Sequence, residues 1–430
     1  MTVIEIIKII AALAGCTVGA YVVFTTIYSL FLLSVAAVAR LSPGPRHLPE
    51  LPNTKFCLVI PAHDEELVIS HTLDCVAKLD YPAALLQVVV IADNCTDGTV
   101  GIASRFPDVK LLERFNDVQK GKGYALNWAL DQLCKDQSVD TFAVVDADTV
   151  VDSMFLRHMD AARVRRSKAN FVAQGRYGVA NRDESWRTAL MSGALSLVHV
   201  VRPLARERLK LSVGLKGNGM CFDRSILQLI SWRGNSLTED IDFALDLLEQ
   251  QKIRVEFVDK AIVSALMPTS AESATTQRQR WERGRSKVSK LRLFKLLILG
   301  LVTLNSLYVD AALDLLLPPL AQLATGILFW ISCIGVLAVC RGSWHDSAFL
   351  AAVTICGFAI YVVGGFVVGG APKSAFKALA FAPFYILWKI LIRSAKPDRA
   401  NGEWVRTARQ QTETTSTSEV ETDRAVKLNH

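Results

Sequence analysis

Two aspartates one residue apart, Asp146 and Asp148, close the apolar run TFAVVDAD (141–148). A strand alternates its side chains, so both carboxylates would face one side if the extended path ran through Asp148. Like charges so placed repel unless a cation sits between them. Paired carboxylates select hard, oxygen-seeking ions, Mg²⁺ or Mn²⁺, that keep positions open for diphosphate oxygens and neutralise a phosphate leaving group. Taken alone, DAD also reads as a solvated strand end. A second acid, Asp240, lies in SLTEDIDFALDL (236–247). There Ser236 and Glu239 have the S-x-x-E spacing of a capping box. A capped helix start is a rigid way to aim a carboxylate, and Asp240 so aimed is a general base for an attacking hydroxyl. A third motif is QRQRWERGR (277–285), where a helix puts Gln277 and Trp281 on one face. Tryptophan offers an apolar platform to a sugar ring and the arginines offer cations to phosphate, although a basic helix at a membrane surface would look similar. The glycines of GLKGNGMCF (214–222) allow the backbone close to a ligand. No G-x-G-x-x-G follows the first strand and no Walker-type lysine loop exists, so phosphate contacts must come from elsewhere.

The elements that must position these residues alternate. KFCLVIPA (55–62), LQVVVIAD (86–93), VKLLER (109–114) and TFAVVDAD read as strands. EELVISHTLDCVAKL, TVGIASRF and GYALNWALDQLCK read as helices between them. Such alternation predicts an α/β domain with a mostly parallel sheet covered on both faces. Ligands of such sheets bind at the carboxyl ends of the strands. HDEE (63–66), DNCTD (93–97) and DAD fall at three such ends, which points to one shared site.

The chain has 430 residues, 51% hydrophobic, with a net charge of +7. Ile9–Ala39, Leu315–Cys340 and Ser347–Pro372 carry no charge, and each exceeds the roughly 18 residues of a membrane span. Leu296–Val309 and Ala378–Trp388 are shorter and read as interfacial, the second crossing only if Lys389 snorkels. Expected boundaries are therefore an anchor at 1–40, a catalytic domain at 53–293, an interfacial helix at 294–310, a membrane region at 311–393 and a polar, disordered tail at 394–430. Arg40, Arg46, Lys55 and the basic cluster at 278–295 flank the spans and place the domain in the cytoplasm of an integral inner- or plasma-membrane protein. RPLARERLKL (202–211) is expected along the membrane surface, and Gly365 and Gly369 form a small-residue helix-packing face. Nine scattered cysteines without a CxxC pair argue against a disulfide framework or a zinc site. The basic cluster lacks interleaved aromatics beyond Trp281, which argues against nucleic acid.

VIPAHDEE, DNCTDGT, GKGYALN, DAD, GNGMCF, TED and QRQRW occur in that order over residues 55–300. Together they resemble membrane-embedded family-2 glycosyltransferases, the group of cellulose, chitin and hyaluronan synthases, with ceramide glucosyltransferase a relative. The resemblance implies a cytoplasmic Rossmann-like A-type glycosyltransferase domain with flanking transmembrane and interfacial helices. It implies that Asp93 contacts the uridine of a UDP-sugar donor, that Ala62 and Glu65 line the base pocket, and that Lys122 sits near the nucleotide. Asp146 would reach the sugar or diphosphate and Asp148 a Mg²⁺ or Mn²⁺ ion. Asp240 would be the base, and Gln277, Arg280 and Trp281 would form a Q-x-x-R-W motif binding diphosphate and the acceptor end. Family members often carry tyrosine and asparagine where His63 and Asp64 stand, so His63 is given no role. One base and one metal suffice for a single displacement, which inverts the anomeric centre and makes a β-linkage from a UDP-α-sugar. The first reading of the acceptor is a growing polysaccharide, which leaves room for accessory secretion subunits. The alternatives are one sugar passed to a membrane lipid, and an inactive scaffold that the retained acids disfavour.

Overall fold

The computed structural model describes residues 3–42, 48–166, 170–234, 236–341 and 345–395. Arg46 and nearly all of the expected tail, 396–430, lie outside the described residues, as does the side chain of Lys389. Eight strands form one sheet: β1 (Phe56–Ala62), β2 (Leu86–Asp93), β3 (Val109–Arg114), β4 (Thr141–Val144), β5 (Thr149–Val151), β6 (Val172–Val179), β7 (Met220–Asp223) and β8 (Glu256–Ala265). Their order is β3-β2-β1-β4-β7-β6-β8-β5. The first four are parallel. The second half is mixed, because β7 runs antiparallel to both β4 and β6, and β5 antiparallel to β8.

Both faces are covered, so the central strands are apolar throughout rather than alternating. From β1, Phe56, Leu58 and Ile60 join a core with α2 (Ile69–Ala77) and α5 (Phe155–Arg166). Cys57 and Val59 face the opposite core with α4 (Lys122–Leu133), α8 (Arg224–Leu229) and α9 (Glu239–Gln251). A short α3 (Thr99–Ala103) follows β2. The strand expected over 141–148 ends at Val144, and Asp146 and Asp148 lie in the turn before β5. The turn is pinned from both sides. The Thr72 hydroxyl donates to the Ala147 carbonyl at 2.7 Å, and the Asp146 N–H donates to Asn218 Oδ1 at 3.2 Å.

The uncharged runs are helical. α1 (Val3–Leu41) is continuous and about 58 Å long at ~1.5 Å per residue, well beyond a hydrocarbon core of ~30 Å. α12 (Leu320–Arg341) and α13 (His345–Gly369) match the other two runs. A fourth segment, Trp186–Arg208, is also long and apolar enough to cross a membrane and was not foreseen. It consists of α6 (Trp186–Ser196), a π-helical turn (Leu197–Val201) and α7 (Arg202–Arg208). It joins β6 to β7, which are paired neighbours in one sheet. The chain must therefore leave and return on the same side, so this helix cannot cross. It packs sideways against α13 instead: a Cβ on Gly365 would overlap Leu197, and one on Gly369 would come within 2.9 Å of Ser196. The Gly365/Gly369 face thus serves packing within the protein. The segment 202–211 does not simply lie on a surface, because Arg202 and Arg206 are buried. Arg206 takes Asp310 at 2.9 Å and Asp314 at 2.7 Å.

The expected single helix at 294–310 is divided. α10 (Ala271–Thr303) runs unbroken to Thr303, Leu304 turns with φ +50°, and Asn305 caps α11 (Ser306–Leu316), which folds back. Leu291, Phe294, Ile298, Leu301 and Val302 stay exposed on the C-terminal half of α10. α14 (Lys373–Ala378), a 3₁₀ turn (Leu379–Phe381) and α15 (Ala382–Ala395) complete the described chain.

Candidate active site

One cavity of about 1180 Å³ opens at the carboxyl ends of β1, β2 and β4, and all ten residues singled out from the sequence line it. Its polar end is built by the sheet. Asp93 ends β2 and is buried against Arg114, whose Nη1 donates to Asp93 Oδ1 at 2.5 Å. Burial raises the Asp93 carboxyl above its ordinary range, and Arg114 opposes that rise. His63 Nδ1 donates to the Asp93 carbonyl at 2.6 Å, so this histidine braces the loop. Ala62 and Glu65 flank it. Among the described residues, the one group of three metal-capable side chains is Asp64, Cys95 and Asp97. It tightens the same loops: Asp64 accepts from the Thr96 N–H at 2.7 Å, and Asp97 from those of Thr99 at 3.0 Å and Glu66 at 3.1 Å.

At the cavity's centre the Lys122 ammonium donates to Asp146 Oδ1 and, at 2.5 Å, to the Gly217 carbonyl. Gly217 has φ +78°, and a Cβ there would sit 3.4 Å from Asp240 Oδ2 and 3.8 Å from Lys122 Nζ. The glycine loop therefore brings its backbone against the candidate base itself. Asp240 is the second residue of α9. The expected capping box is absent. Ser236 Oγ accepts from the Thr238 N–H at 3.2 Å, the N-cap is Thr238 with no side-chain bond, and Glu239 begins the helix and lines the cavity. Burial raises both acids, and repulsion from Asp240 helps push Glu239 up to about 7. Lys122 and Lys216 oppose the rise at Asp240. Asp146 is half-buried and Asp148 buried. Their oxygen donors, with open cavity beside them, fit a Mg²⁺ or Mn²⁺ ion rather than a thiolate-seeking metal.

The far end is built by helices. Gln277, Arg280 and Trp281 enter from α10, and Gln277 Oε1 is buried without a hydrogen-bond partner among the described residues. Arg278 donates to the Tyr385 hydroxyl, with its guanidinium 4.8 Å from the ring centre. Desolvation lowers its pKa to about 10. Beyond lie apolar side chains of α6, α12, α13 and α15, including Leu190, Ala321, Phe358 and Ile386. Sequence reasoning missed Arg202, Lys216, Trp186 and Tyr385, which also line the cavity. The signal available was Arg202 following the uncharged run 188–201 inside a 23-residue segment apolar enough to cross a membrane.

Residues 52–284 match the family described as "Glycosyltransferase like family 2". The chain is 26% identical over 416 residues to a β-monoglucosyldiacylglycerol synthase of Synechocystis sp., covering 86% of this chain and 82% of that one. It is 26% identical over 351 residues to the protein of the same name in Nostoc sp., covering 74% and 72%. Its fold is similar to that of a mannosyltransferase from Pyrobaculum calidifontis solved in complex with GDP-mannose and Mn²⁺. That likeness has a TM-score of 0.52 at 15% identity and covers 87% of this chain and 99% of that one.

Proposed function

The chain belongs to the family-2 glycosyltransferases, and from that premise we propose that it moves one sugar from a UDP-sugar to a hydroxyl of a membrane lipid, with inversion. The observation that carries this reading is the continuity of the cavity. It runs from the acidic strand ends, past Asp240 and Trp281, into a groove between apolar helices. A lipid hydroxyl can reach Asp240 along that groove while its chains stay among apolar side chains. The apolar side chains of α12, α13 and α15 along the groove suit acyl chains better than a polar polymer. The relatives named for glucosyldiacylglycerol synthesis support the lipid acceptor over the polysaccharide.

In this reading Asp93, Ala62 and Glu65 hold the nucleoside. Asp148, with Asp146 beside it, holds a Mg²⁺ or Mn²⁺ ion, which supplies charge neutralisation at the leaving diphosphate. Lys122 fixes Asp146 and the Gly217 loop relative to Asp240. Gln277 and Arg280 donate to the diphosphate, and Trp281 offers its ring to the sugar. Asp240 accepts the proton as the acceptor oxygen attacks the anomeric carbon and the UDP bond breaks. The catalytic domain lies on the cytoplasmic face, where UDP-sugars are made. The test is UDP release by the purified full-length protein across a panel of UDP-sugars with Mn²⁺ or Mg²⁺, followed by sizing of the labelled product. An organic-soluble lipid heavier by one sugar is expected. A high-mass saccharide would restore the polysaccharide reading, and no release with any donor would overturn the assignment.

A further inference from the structure

Beneath Asp240, on the side away from Asp146 and Asp148, the cavity wall carries more positive than negative charge. Arg202, Lys216 and Arg285 all line it. Arg202 is 5% exposed and lies within the apolar segment Trp186–Arg208. Its Nε donates to the Tyr361 hydroxyl at 3.3 Å, and among the described residues no carboxylate is within ion-pair distance. The Lys216 ammonium has neither a hydrogen-bond nor an ion-pair partner among the described residues. Arg285 reaches Asp314 at 3.5 Å, but Asp314 is shared with Arg206 at 2.7 Å, and Asp310 is taken by Arg206 as well. Four cations, Arg202, Arg206, Lys216 and Arg285, thus meet Asp310 and Asp314, with Asp240 as a third carboxylate near Lys216. One turn before Arg202, the His199 Nδ1 is also buried without a partner.

A cation held in an apolar setting is costly unless something offsets it, and one that lines a cavity without a carboxylate at ion-pair distance points to an anionic ligand. Lys122 pairs with Asp146 at the strand ends, whereas Lys216 also lines a smaller pocket with Ile241, Arg285 and Asp314, which favours a ligand other than the donor diphosphate. Asp240 is the shared neighbour, so the two lysines bracket it, one toward the donor and one toward the helices. The excess cations therefore lie where the acceptor approaches, at the start of the apolar groove.

We propose that Arg202 and Lys216 bind the phosphate of the acceptor, which is a phospholipid with a hydroxylated headgroup. The inference rests on the lipid-transfer reading above and names its substrate class. A headgroup hydroxyl, and not the phosphate oxygen, is the nucleophile, because a phosphate oxygen is already ionised and would need no base at Asp240. The headgroup O–H attacks the anomeric carbon, the bond from that carbon to the diphosphate oxygen breaks, the proton passes to Asp240, and UDP leaves. Arginine and lysine suit the phosphate through charge-assisted hydrogen bonds.

The experiment uses the full-length protein in phosphatidylcholine nanodiscs, which offer no headgroup hydroxyl, doped with either phosphatidylglycerol or diacylglycerol. The donor is the UDP-sugar found active. Glycosylated phosphatidylglycerol is expected at about tenfold or more over glycosylated diacylglycerol, the scale of one charge-assisted bond. Lys216→Gln and Arg202→Gln should each raise the KM for phosphatidylglycerol about tenfold, with a far smaller change in the KM for the donor. Arg202→Lys should recover part of the loss, and Lys216→Gln decides the matter if the Arg202→Gln protein does not fold. Equal use of diacylglycerol, or variants that raise only the donor KM, would overturn the phosphate site while leaving lipid transfer intact. A doped panel in which no lipid is glycosylated overturns lipid transfer itself. Inorganic phosphate that competes against donor but not against phosphatidylglycerol would place the anion at the diphosphate instead.

Discussion

The two ends of the cavity are built by different means. The proposed donor end takes its side chains from strand ends, their loops and the start of α4 between Ala62 and Asp148, with Asp93 held by a buried ion pair and the Asp146–Ala147 backbone by hydrogen bonds from both sides. The acceptor end draws on α6, α7, α10, α12, α13 and α15, which span Trp186 to Ile386 in the chain. A sheet holds chemistry in place because its strands cannot shift register without exposing a core face. Packed helices set the size and polarity of the groove and can differ widely while the chemistry stays the same. The difference implies that changes at the donor end should act on turnover with every acceptor, whereas changes at the acceptor end should act on which lipid is used.

The largest effect should come from the point where the ends meet. Asp240→Asn keeps the size and removes the base, so kcat should fall about 10²–10⁴-fold with every acceptor. UDP affinity, measured by calorimetry, should stay near that of the native protein. Residual turnover within a few fold of normal would refute the role of Asp240.

Next comes the donor end alone. Asp148→Asn should lower kcat by about 10²–10³-fold, the usual cost of losing one preorganised electrostatic group. Raising Mn²⁺ should restore part of that turnover, and the acceptor KM should not change. A variant that altered acceptor choice instead would break the division between the two ends.

A packing change isolates the other end. A Cβ on Gly193 would overlap the Phe366 ring, so Gly193→Leu should destabilise the α6–α13 contact by about 1–3 kcal/mol. The expected readouts are a lower melting temperature and a raised acceptor KM, with UDP affinity retained.

The same division explains what was legible in the sequence. β2 was read to the residue because a strand buried on both faces is a continuous apolar run, here ended by Asp93, and the edge strand β3 was read equally well from its short run of alternating polarity. Asp146, Asp148 and Asp240 could be singled out because their motifs are local, and the fold brings them to one cavity. The turn at DAD was misread as strand because Ala147, an apolar residue, continues the pattern while its carbonyl is held by Thr72 from outside. Trp186–Arg208 was passed over because its arginines break the uncharged run that signals a membrane helix. Arg206 is neutralised by Asp310 and Asp314, a hundred residues later, and no local pattern reports such a partner. The cap at α9 was misassigned because Ser236 bonds the Thr238 N–H and frees Glu239 for the cavity.

The smallest expected effect tests Asp240 through its neighbours. A base acts when ionised, so kcat/KM should fall as pH drops through the Asp240 pKa, and burial places that limb above the ordinary carboxylate range. Glu239, pushed up to about 7 in part by Asp240, repels the Asp240 carboxylate wherever both are ionised. Glu239→Gln removes that repulsion, so the limb should move to lower pH by at most about one unit, or ~1.4 kcal/mol. Lys216→Gln removes a favourable charge and should move it to higher pH. Both shifts should be visible in kcat/KM profiles taken with a single acceptor at saturating metal. Opposite movement in the two variants requires one ionising group that feels both charges, as Asp240 does. A limb unmoved by either would mean that the titrating group lies elsewhere, and that the helix start at Glu239 positions the acceptor without taking its proton.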